Sequence, residues 1–233
     1  MSGRPLAIAH RAGNNLKHLS EALAAGVDYA ETDVWLHCGR LEVRHDKRLG
    51  PLPVLWSKRS LRPYWGRRLL LGEVLDAVRG HGRLLLDLEG DAEGLAPVLA
   101  ESIVSHGCED AVAFTGGWDH LDRLAALLPQ AHRYYTTGTP GRLAGLRPRL
   151  ARGEIAGMAI NSRFLTRAIV AELRAAGVER MITWGVVTRE KARDVLAWGV
   201  SGVTADSLPL LAAIRSGELN ASNAQPPGGE KTG

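Results

Sequence analysis

The regular alternation of short aliphatic runs and longer amphipathic segments constrains the fold more than any other feature. The runs recur about every 20 to 30 residues with glycine or polar turns between them, a spacing typical of repeated βα units. All are short enough to be strands buried on both faces. We predict strands at Leu6–Ala9, Tyr29–Val34, Leu41–Arg44, Arg83–Leu88, Ala111–Phe114, His132–Thr136, Met158–Ile160, Met181–Val187 and Gly202–Thr204.

Amphipathic segments with apolar residues at helical spacing separate these strands. Leu41–Arg44 follows its predecessor too closely for a crossover helix, so we interpret it as a hairpin partner or a continuation. The remaining pattern fits a single-domain (β/α)8 TIM barrel, with a doubly wound open sheet as the alternative. The predicted helices are Leu16–Ala25, Leu70–Val78, Glu93–Ser105, His120–Leu128, Gly141–Leu150, Thr166–Ala175, Arg189–Ala197 and Leu208–Arg215.

Two segments do not follow the alternation. Residues 1–217 are predicted to form the barrel and residues 218–233 a disordered tail, because the end of the chain is rich in Asn, Pro, Gly and Ser. The proline-containing segment Lys47–Arg68 is predicted to be a long loop. Its aromatic residues Trp56, Tyr64 and Trp65 are expected to pack on the barrel rim, with contact to a lipid or a base as the alternative.

Composition narrows the class of protein. With 45% hydrophobic and 23% charged residues, the chain can bury a core, and it has no apolar run long enough to be a transmembrane segment. The first residues lack the apolar stretch of a secretory signal, so we expect a cytoplasmic protein with Cys38 and Cys108 as free thiols. The net charge of +4 favours anionic partners only weakly, although Lys47–Arg68 is the densest basic cluster. No nucleic-acid-binding motif appears, so we predict no nucleic-acid partner. The oligomeric state is not predicted.

Carboxylates stand at the carboxyl ends of predicted strands, where barrels of this kind place their active sites. Glu31 and Asp33 are two residues apart on one strand, so their side chains share a face and can bind one cation. Asp87 ends the next barrel strand and would complete a set of oxygen ligands. Such a set suits Mg²⁺ or Ca²⁺ rather than zinc.

Two histidines and an arginine accompany these carboxylates. His10 and His45 also end strands, and imidazole is suited to general acid and base catalysis near neutral pH. Arg11 has a fork geometry that matches a phosphate. Together with a metal, these residues indicate phosphoryl chemistry. The other histidines are interpreted as surface or helix-end residues at His18, His81, His106, His120 and His132, and His37 with Cys38 is too small a set to predict zinc.

Three segments resemble the opening of the glycerophosphodiester phosphodiesterase family in order and spacing: IAHRAGN, AGVDYAETDV and LEVRHDKRLG. Further on, RLLLDLEG, MITWGVV and GVTADSLPLL resemble its later strands, so that the likeness covers about residues 6–213. The resemblance implies metal-dependent hydrolysis of a small phosphodiester or lysophospholipid to glycerol 3-phosphate and an alcohol. It also implies His10 and His45 as the acid–base pair, Arg11 as a phosphate ligand and Glu31, Asp33 and Asp87 as ligands of Mg²⁺ or Ca²⁺.

Four positions depart from the family pattern. Ala12 replaces a glycine in a shortened loop, Asp87 stands where Glu is usual, and Val187 replaces an Asn. Glu89 stands where the family usually has Lys, which reverses a charge facing the phosphate. Glu89 could ligate the ion, pair with a basic residue such as Arg11 or Arg44, or oppose an anionic substrate.

Alternative functions follow from these departures. One is a lyase similar to sphingomyelinase D, which would release a cyclic phosphate from lysolipids. The other is a non-catalytic barrel that binds a phosphate ester, although such a protein has no need of an acid and a base. Trp184 is interpreted either as a filler of the barrel or as a wall against the alcohol part of the substrate.

Overall fold

Eight parallel strands close into a barrel surrounded by helices. A computed structural model describes residues 4–48, 52, 54–57, 60–63 and 67–219. Within that part of the chain the strands are β1 (Leu6–Ala9), β2 (Tyr29–His37), β3 (Arg40–Val43), β4 (Lys47–Arg48), β5 (Val54–Ser57), β6 (Ser60–Pro63), β7 (Leu84–Glu89), β8 (Val112–Gly116), β9 (His132–Thr137), β10 (Gly157–Asn161), β11 (Arg180–Trp184) and β12 (Gly202–Ala205).

The strand pairing shows that the sheet is closed. The order around the barrel is β1-β2-β7-β8-β9-β10-β11-β12, and β12 pairs in parallel with β1. This closure confirms the predicted (β/α)8 barrel in place of the open doubly wound sheet, in which the first and last strands would be edges. The strand β3 pairs antiparallel with β2, so the short run at residues 41–44 is the predicted hairpin partner.

The helices follow the strands as the sequence pattern predicts. Several begin at a polar residue whose side chain accepts a hydrogen bond from the first-turn backbone, including Asn15, Thr139 and Thr188. The helices are α1 (Leu16–Ala24), α2 (Leu71–Val78), α3 (Leu95–Ser105), α4 (Trp118–Leu127), α5 (Pro140–Ala151), α6 (Arg167–Ala175), α7 (Arg189–Ala197) and α8 (Leu208–Arg215). None of the described helices is long and apolar enough to cross a membrane.

The core has two layers. The larger layer lies between the barrel and its helices and includes Phe114 and Leu86. The smaller layer fills the inside of the barrel with Ile8, Tyr29, Leu85, Ala113, Tyr134, Ala159 and Ile182. Because Leu85, Ala159 and Ile182 also line the cavity above them, this inner layer forms the floor of the site.

The segment at residues 47–68 differs from its prediction as a loop. Strands β4, β5 and β6 form a three-stranded antiparallel sheet within it. The prolines mislead the sequence pattern, because Pro51 and Pro53 precede β5 and Pro63 ends β6, an edge strand that tolerates proline. Trp56 is 50% exposed, so half of its surface is open to solvent and its packing on the rim stays a prediction. Tyr64 and Trp65 lie outside the described residues.

Smaller differences concern the ends of elements. The strand predicted at Met181–Val187 ends at Trp184, because Gly185 turns the chain with a φ of 75°.

His120 lies at the start of α4 as expected but is buried rather than on the surface. Its Nε2 lies 3.0 Å from the carbonyl oxygen of Gly90. Of the predicted tail at residues 218–233, the structure describes Glu218 and a buried Leu219, and the rest lies outside the described residues.

Candidate active site

A cavity of about 660 Å³ opens at the carboxyl ends of the barrel strands. It is lined by all eight residues that the sequence predicted for the site: His10, Arg11, Glu31, Asp33, His45, Asp87, Glu89 and Trp184. The barrel therefore brings the predicted site residues together from five strands or the turns that follow them. Val187 is 80% exposed and is not among the lining residues, so its change from the family pattern does not alter the cavity wall.

Three carboxylates meet where β2 and β7 pair. Asp33 and Asp87 are register partners across the two strands, and Glu31 lies two residues before Asp33 on the same face. One oxygen from each of the three lies within 4.8 Å of the others. Glu31 and Asp33 are buried, at 4% and 2% exposed. Oxygen donors at this spacing fit a hard divalent cation.

Burial and repulsion from neighbouring carboxylates favour the protonated forms of Glu31, Asp87 and Glu89. Burial raises the pKa of Glu31 well above its usual range, and the charges of Asp33 and Asp87 raise it further. Burial, with the charges of Asp33 and Glu89, raises the pKa of Asp87 to about 7. Burial and the charge of Asp33 also raise the pKa of Glu89. A bound cation would relieve this repulsion by supplying positive charge at the centre of the group.

The turn after β1 holds two of the carboxylates in place. The backbone N–H of Arg11 donates to Glu31 Oε2 at 2.5 Å, with Arg11 in the left-handed conformation at φ 52°. Asn14 donates through Nδ2 to Asp33 Oδ2 at 2.5 Å and accepts from the backbone N–H of Asp33 at 2.9 Å. A Cβ on Gly13 would lie 1.8 Å from Thr32 Oγ1, so only glycine lets the turn approach β2 this closely.

The two histidines have different partners. His10 Nδ1 donates to Asp206 Oδ1 at 2.7 Å, which leaves Nε2 for a ligand. Arg11 Nη2 donates to His45 Nε2 at 2.8 Å, while His45 Nδ1 lies 3.5 Å from Asp33 Oδ1. Since a guanidinium only donates, His45 accepts at Nε2 and carries its proton on Nδ1. His45 is therefore arranged as a neutral imidazole with a lone pair at Nε2.

Two polar partners, Asn14 and Asp206, received no functional role from sequence reasoning. Asn14 falls in the shortened loop after β1, where only its departure from the family pattern is visible. Asp206 directly follows β12. This position, at the carboxyl end of a barrel strand, is the signal that identified the other carboxylates and was available for Asp206 too.

Glu89 belongs to a second group of side chains that could bind a cation. Oxygen or nitrogen atoms of Asp33, His45 and Glu89 lie within 4.8 Å of one another, which is compatible with cation binding. Arg44, one of the basic partners considered for Glu89, is instead paired with Glu42 at 2.9 Å. Arg44 also stacks over the Trp35 ring at 4.5 Å. Lys47 and Arg11 thus provide nearby positive charge that partly offsets the raised pKa of Glu89.

Trp184 combines the two roles considered for it. It packs against the inner core cluster of the barrel, and it also lines the cavity on the side opposite the carboxylates. Gly138 lies against the indole, because a Cβ there would be 3.3 Å from Trp184 Cζ2. The cavity therefore has one acidic side and one side with an aromatic surface.

Comparison with solved structures supports the fold of this site. A Silicibacter pomeroyi protein assigned to the glycerophosphoryl diester phosphodiesterases has a TM-score of 0.76 at 19% identity, covering 94% of this chain and 96% of its own. An Oleispira antarctica phosphodiesterase, solved in complex with the product sn-glycerol-3-phosphate, has a TM-score of 0.70 at 21% identity over 91% and 96%. A glycerophosphodiester phosphodiesterase from Thermotoga maritima has a TM-score of 0.67 at 17% identity over 91% and 100%.

These likenesses establish the fold at the level of the backbone. No protein-family model and no curated protein sequence matches the chain. The structural neighbours therefore support, through the fold, the family resemblance that the sequence motifs indicate. What the neighbours bind and catalyse bears on the function of this chain only as a proposal.

We predict that Asp87→Asn stabilises the metal-free protein at alkaline pH. A carboxyl whose pKa rises from about 4 in the unfolded chain to about 7 in the fold loses its stabilising contribution as pH rises through that interval. In EDTA the variant should therefore gain about 1–3 kcal/mol relative to wild type between about pH 5 and pH 8. Urea denaturation at both pH values measures the difference.

The same variant should lose the response to a cation. Mg²⁺ or Ca²⁺ should raise the Tm of wild type at about pH 8 and leave Asp87→Asn unchanged, because the ligand set is broken. Asp194→Asn, an exposed carboxyl on α7, is the matched control and should follow wild type in both measurements. If the stability of wild type and of Asp87→Asn depends on pH in the same way, the pKa of Asp87 is not raised by the fold.

Proposed function

We propose that the chain is a metal-dependent phosphodiesterase that hydrolyses glycerophosphodiesters to glycerol 3-phosphate and an alcohol. The observation that carries the proposal is the placement of two histidines beside three clustered carboxylates in one cavity of a (β/α)8 barrel. The family resemblance of the motifs gives the substrate class. A structural neighbour in complex with sn-glycerol-3-phosphate supports the same reading.

The carboxylates of Glu31, Asp33 and Asp87 would hold the cation, either Mg²⁺ or Ca²⁺. The group fits a cation because its members are clustered and mostly buried, and because burial and neighbouring charge raise the pKa of Glu31 and Asp87. When bound, the cation would neutralise negative charge that gathers on the phosphoryl oxygens. Asn14 and the Arg11 backbone keep two of the three carboxylates oriented towards the shared position.

In the proposed reaction His45 acts as the general base and His10 as the general acid. The Nε2 lone pair of His45 accepts the proton from a glycerol hydroxyl as its oxygen bonds to phosphorus. The bond from phosphorus to the alcohol oxygen then breaks, and His10 Nε2 donates a proton to that oxygen. Water opens the resulting cyclic phosphate with the two histidines in reversed roles, which gives glycerol 3-phosphate.

Arg11 couples substrate binding to the activation of His45. In the structure its guanidinium donates to His45 Nε2 and lies 3.7 Å from Asp33 Oδ2. Its side chain is 41% exposed, so it can turn to a phosphate in the cavity. An arriving phosphate would draw the guanidinium away and free the Nε2 lone pair. The same movement of Arg11 would therefore bind the phosphate and free His45 to act as the base.

Glu89 makes the proposed reaction depend more strongly on the cation. A negative side chain where the family usually has Lys opposes an anionic phosphate unless nearby positive charge compensates. Arg11 and the cation would provide that compensation, since Arg44 is occupied with Glu42. Glu89 is also the observation that favours the second candidate function, a barrel that binds a phosphate ester without turnover.

We predict that purified protein converts glycerophosphocholine or glycerophosphoethanolamine to glycerol 3-phosphate in Mg²⁺ or Ca²⁺ and not in EDTA. His10→Ala and His45→Ala should each lower the rate by about 10²–10⁴-fold, the usual contribution of an acid or base. Phosphorus NMR identifies the product directly, and His81→Ala, an exposed histidine outside the cavity, serves as control.

Other outcomes of this experiment would support one of the alternative functions. A cyclic phosphate that persists, from these substrates or from a lysophospholipid, would identify the lyase. Absence of turnover in folded protein that still binds glycerol 3-phosphate would support the non-catalytic barrel and contradict the proposal.

We predict that Asp206→Asn slows the reaction by about 10- to 100-fold through His10. The amide keeps the shape of the side chain but replaces the carboxylate that accepts from His10 Nδ1. The loss should therefore fall on kcat, with KM little changed. Asp194→Asn again provides the control, and a loss confined to KM would contradict a role of Asp206 in positioning His10.

A further inference from the structure

The small sheet formed by β4, β5 and β6 has two unlike faces. Antiparallel register partners lie on the same face, and Trp56 is the partner of both Lys47 and Leu61. Lys47 is exposed, Trp56 is 50% exposed and Leu61 is 63% exposed. We call the face formed by these three residues the outer face. It presents a cation, an indole and an aliphatic side chain in one row to solvent.

The opposite face is turned towards the protein. Leu55, the neighbour of Trp56 on β5, is 6% exposed. Its register partner Arg48 places Nη1 2.8 Å from Nε2 of His37 at the end of β2. Because one face is fixed to the barrel by these contacts, the exposure of the outer face follows from the alternation along the strands.

Exposed apolar side chains are concentrated around this sheet. Among the described residues, eight large apolar side chains are exposed, and three of them fall within residues 52–61. These three are Leu52, at 52% exposed, together with Trp56 and Leu61 of the outer face. A grouping of this kind marks an interaction surface more often than single exposed residues do.

The same segment carries an unusual charge. Residues 47–68 contain seven Lys or Arg and no Asp or Glu, a formal charge of +7 in a chain whose total is +4. The remainder of the chain is therefore net negative, at −3. A basic segment of this density attracts an anionic surface within the screening length of the solution. The basic residues are Lys47, Arg48, Lys58, Arg59, Arg62, Arg67 and Arg68.

We propose that the outer face docks on the surface of an anionic phospholipid bilayer. On the outer face the indole of Trp56 suits the headgroup level, the side chain of Leu61 suits the acyl boundary, and Lys47 matches a lipid phosphate. Against a nucleic acid the exposed leucines would have no apolar partner. A second copy of this chain would bring two segments of like charge together.

Docking would place the cavity beside the bilayer. Lys47 lies two residues after His45, so the sheet directly adjoins a wall of the cavity. Binding to a bilayer does not depend on the proposed hydrolysis. The two proposals can therefore fail separately, because vesicle binding is measured without turnover.

Flotation of the full chain with vesicles tests the docking surface. We expect binding to vesicles of phosphatidylcholine mixed with phosphatidylglycerol, little binding to phosphatidylcholine alone, and release by high salt. The double variant W56S/L61S should lower the partition coefficient by about tenfold or more, because it removes the apolar part of the outer face. V104S/L127S, which removes two exposed apolar residues from α3 and α4, should bind as wild type does.

Circular dichroism shows whether each variant is folded. Leu52→Ser changes an exposed residue outside the strands and should also weaken binding to the vesicles. Equal binding of wild type and W56S/L61S, or no binding to anionic vesicles, would overturn the proposal. So would a dimer in sedimentation velocity that W56S/L61S dissociates, or oligonucleotide binding in the absence of vesicle binding. These last results would assign the face to a second copy or to a nucleic acid.

Discussion

The three carboxylates of Glu31, Asp33 and Asp87 form the group on which the site depends. They meet because β2 and β7 pair in a register that sets Asp33 opposite Asp87. Burial and repulsion raise the pKa of Glu31 and Asp87, so the site favours either protons or a cation. The barrel interior is apolar up to the cavity floor, and Arg11, whose Nε lies 3.7 Å from Asp33 Oδ2, offsets only part of this repulsion. This requirement is the basis for the proposed metal-dependent chemistry.

The turn after β1 connects this acidic group to the proposed catalytic groups. Its backbone fixes Glu31, its Asn14 fixes Asp33, and its Arg11 side chain reaches both Asp33 and His45. Closure of the barrel brings Asp206, from beyond the last strand, to His10 beyond the first strand. The cavity is thus assembled by contacts between the first two strands and the last, and its chemistry depends on the barrel being closed.

Much of this arrangement could be predicted from the sequence because it follows from local periodicity. Buried strands and amphipathic helices leave a pattern in hydrophobicity, and polar residues at strand ends meet once a barrel is assumed. The hydrogen bond from Arg11 to His45 and the role of Asn14 could not be predicted, since they depend on side-chain directions after folding. The sheet of β4 to β6 was missed because its prolines and basic residues obscure the alternation that Leu55 and Trp56 show.

The most direct test of the account is to count protons released when a cation binds. Calorimetric titration of Mg²⁺ or Ca²⁺ at about pH 7, in two buffers of different ionisation enthalpy, gives the number of protons exchanged. Because Asp87 has a pKa of about 7 and that of Glu31 is also raised, we expect about one proton or more to leave for each ion bound. Binding without proton release, or no binding of either ion, would contradict a cation site built from these carboxylates.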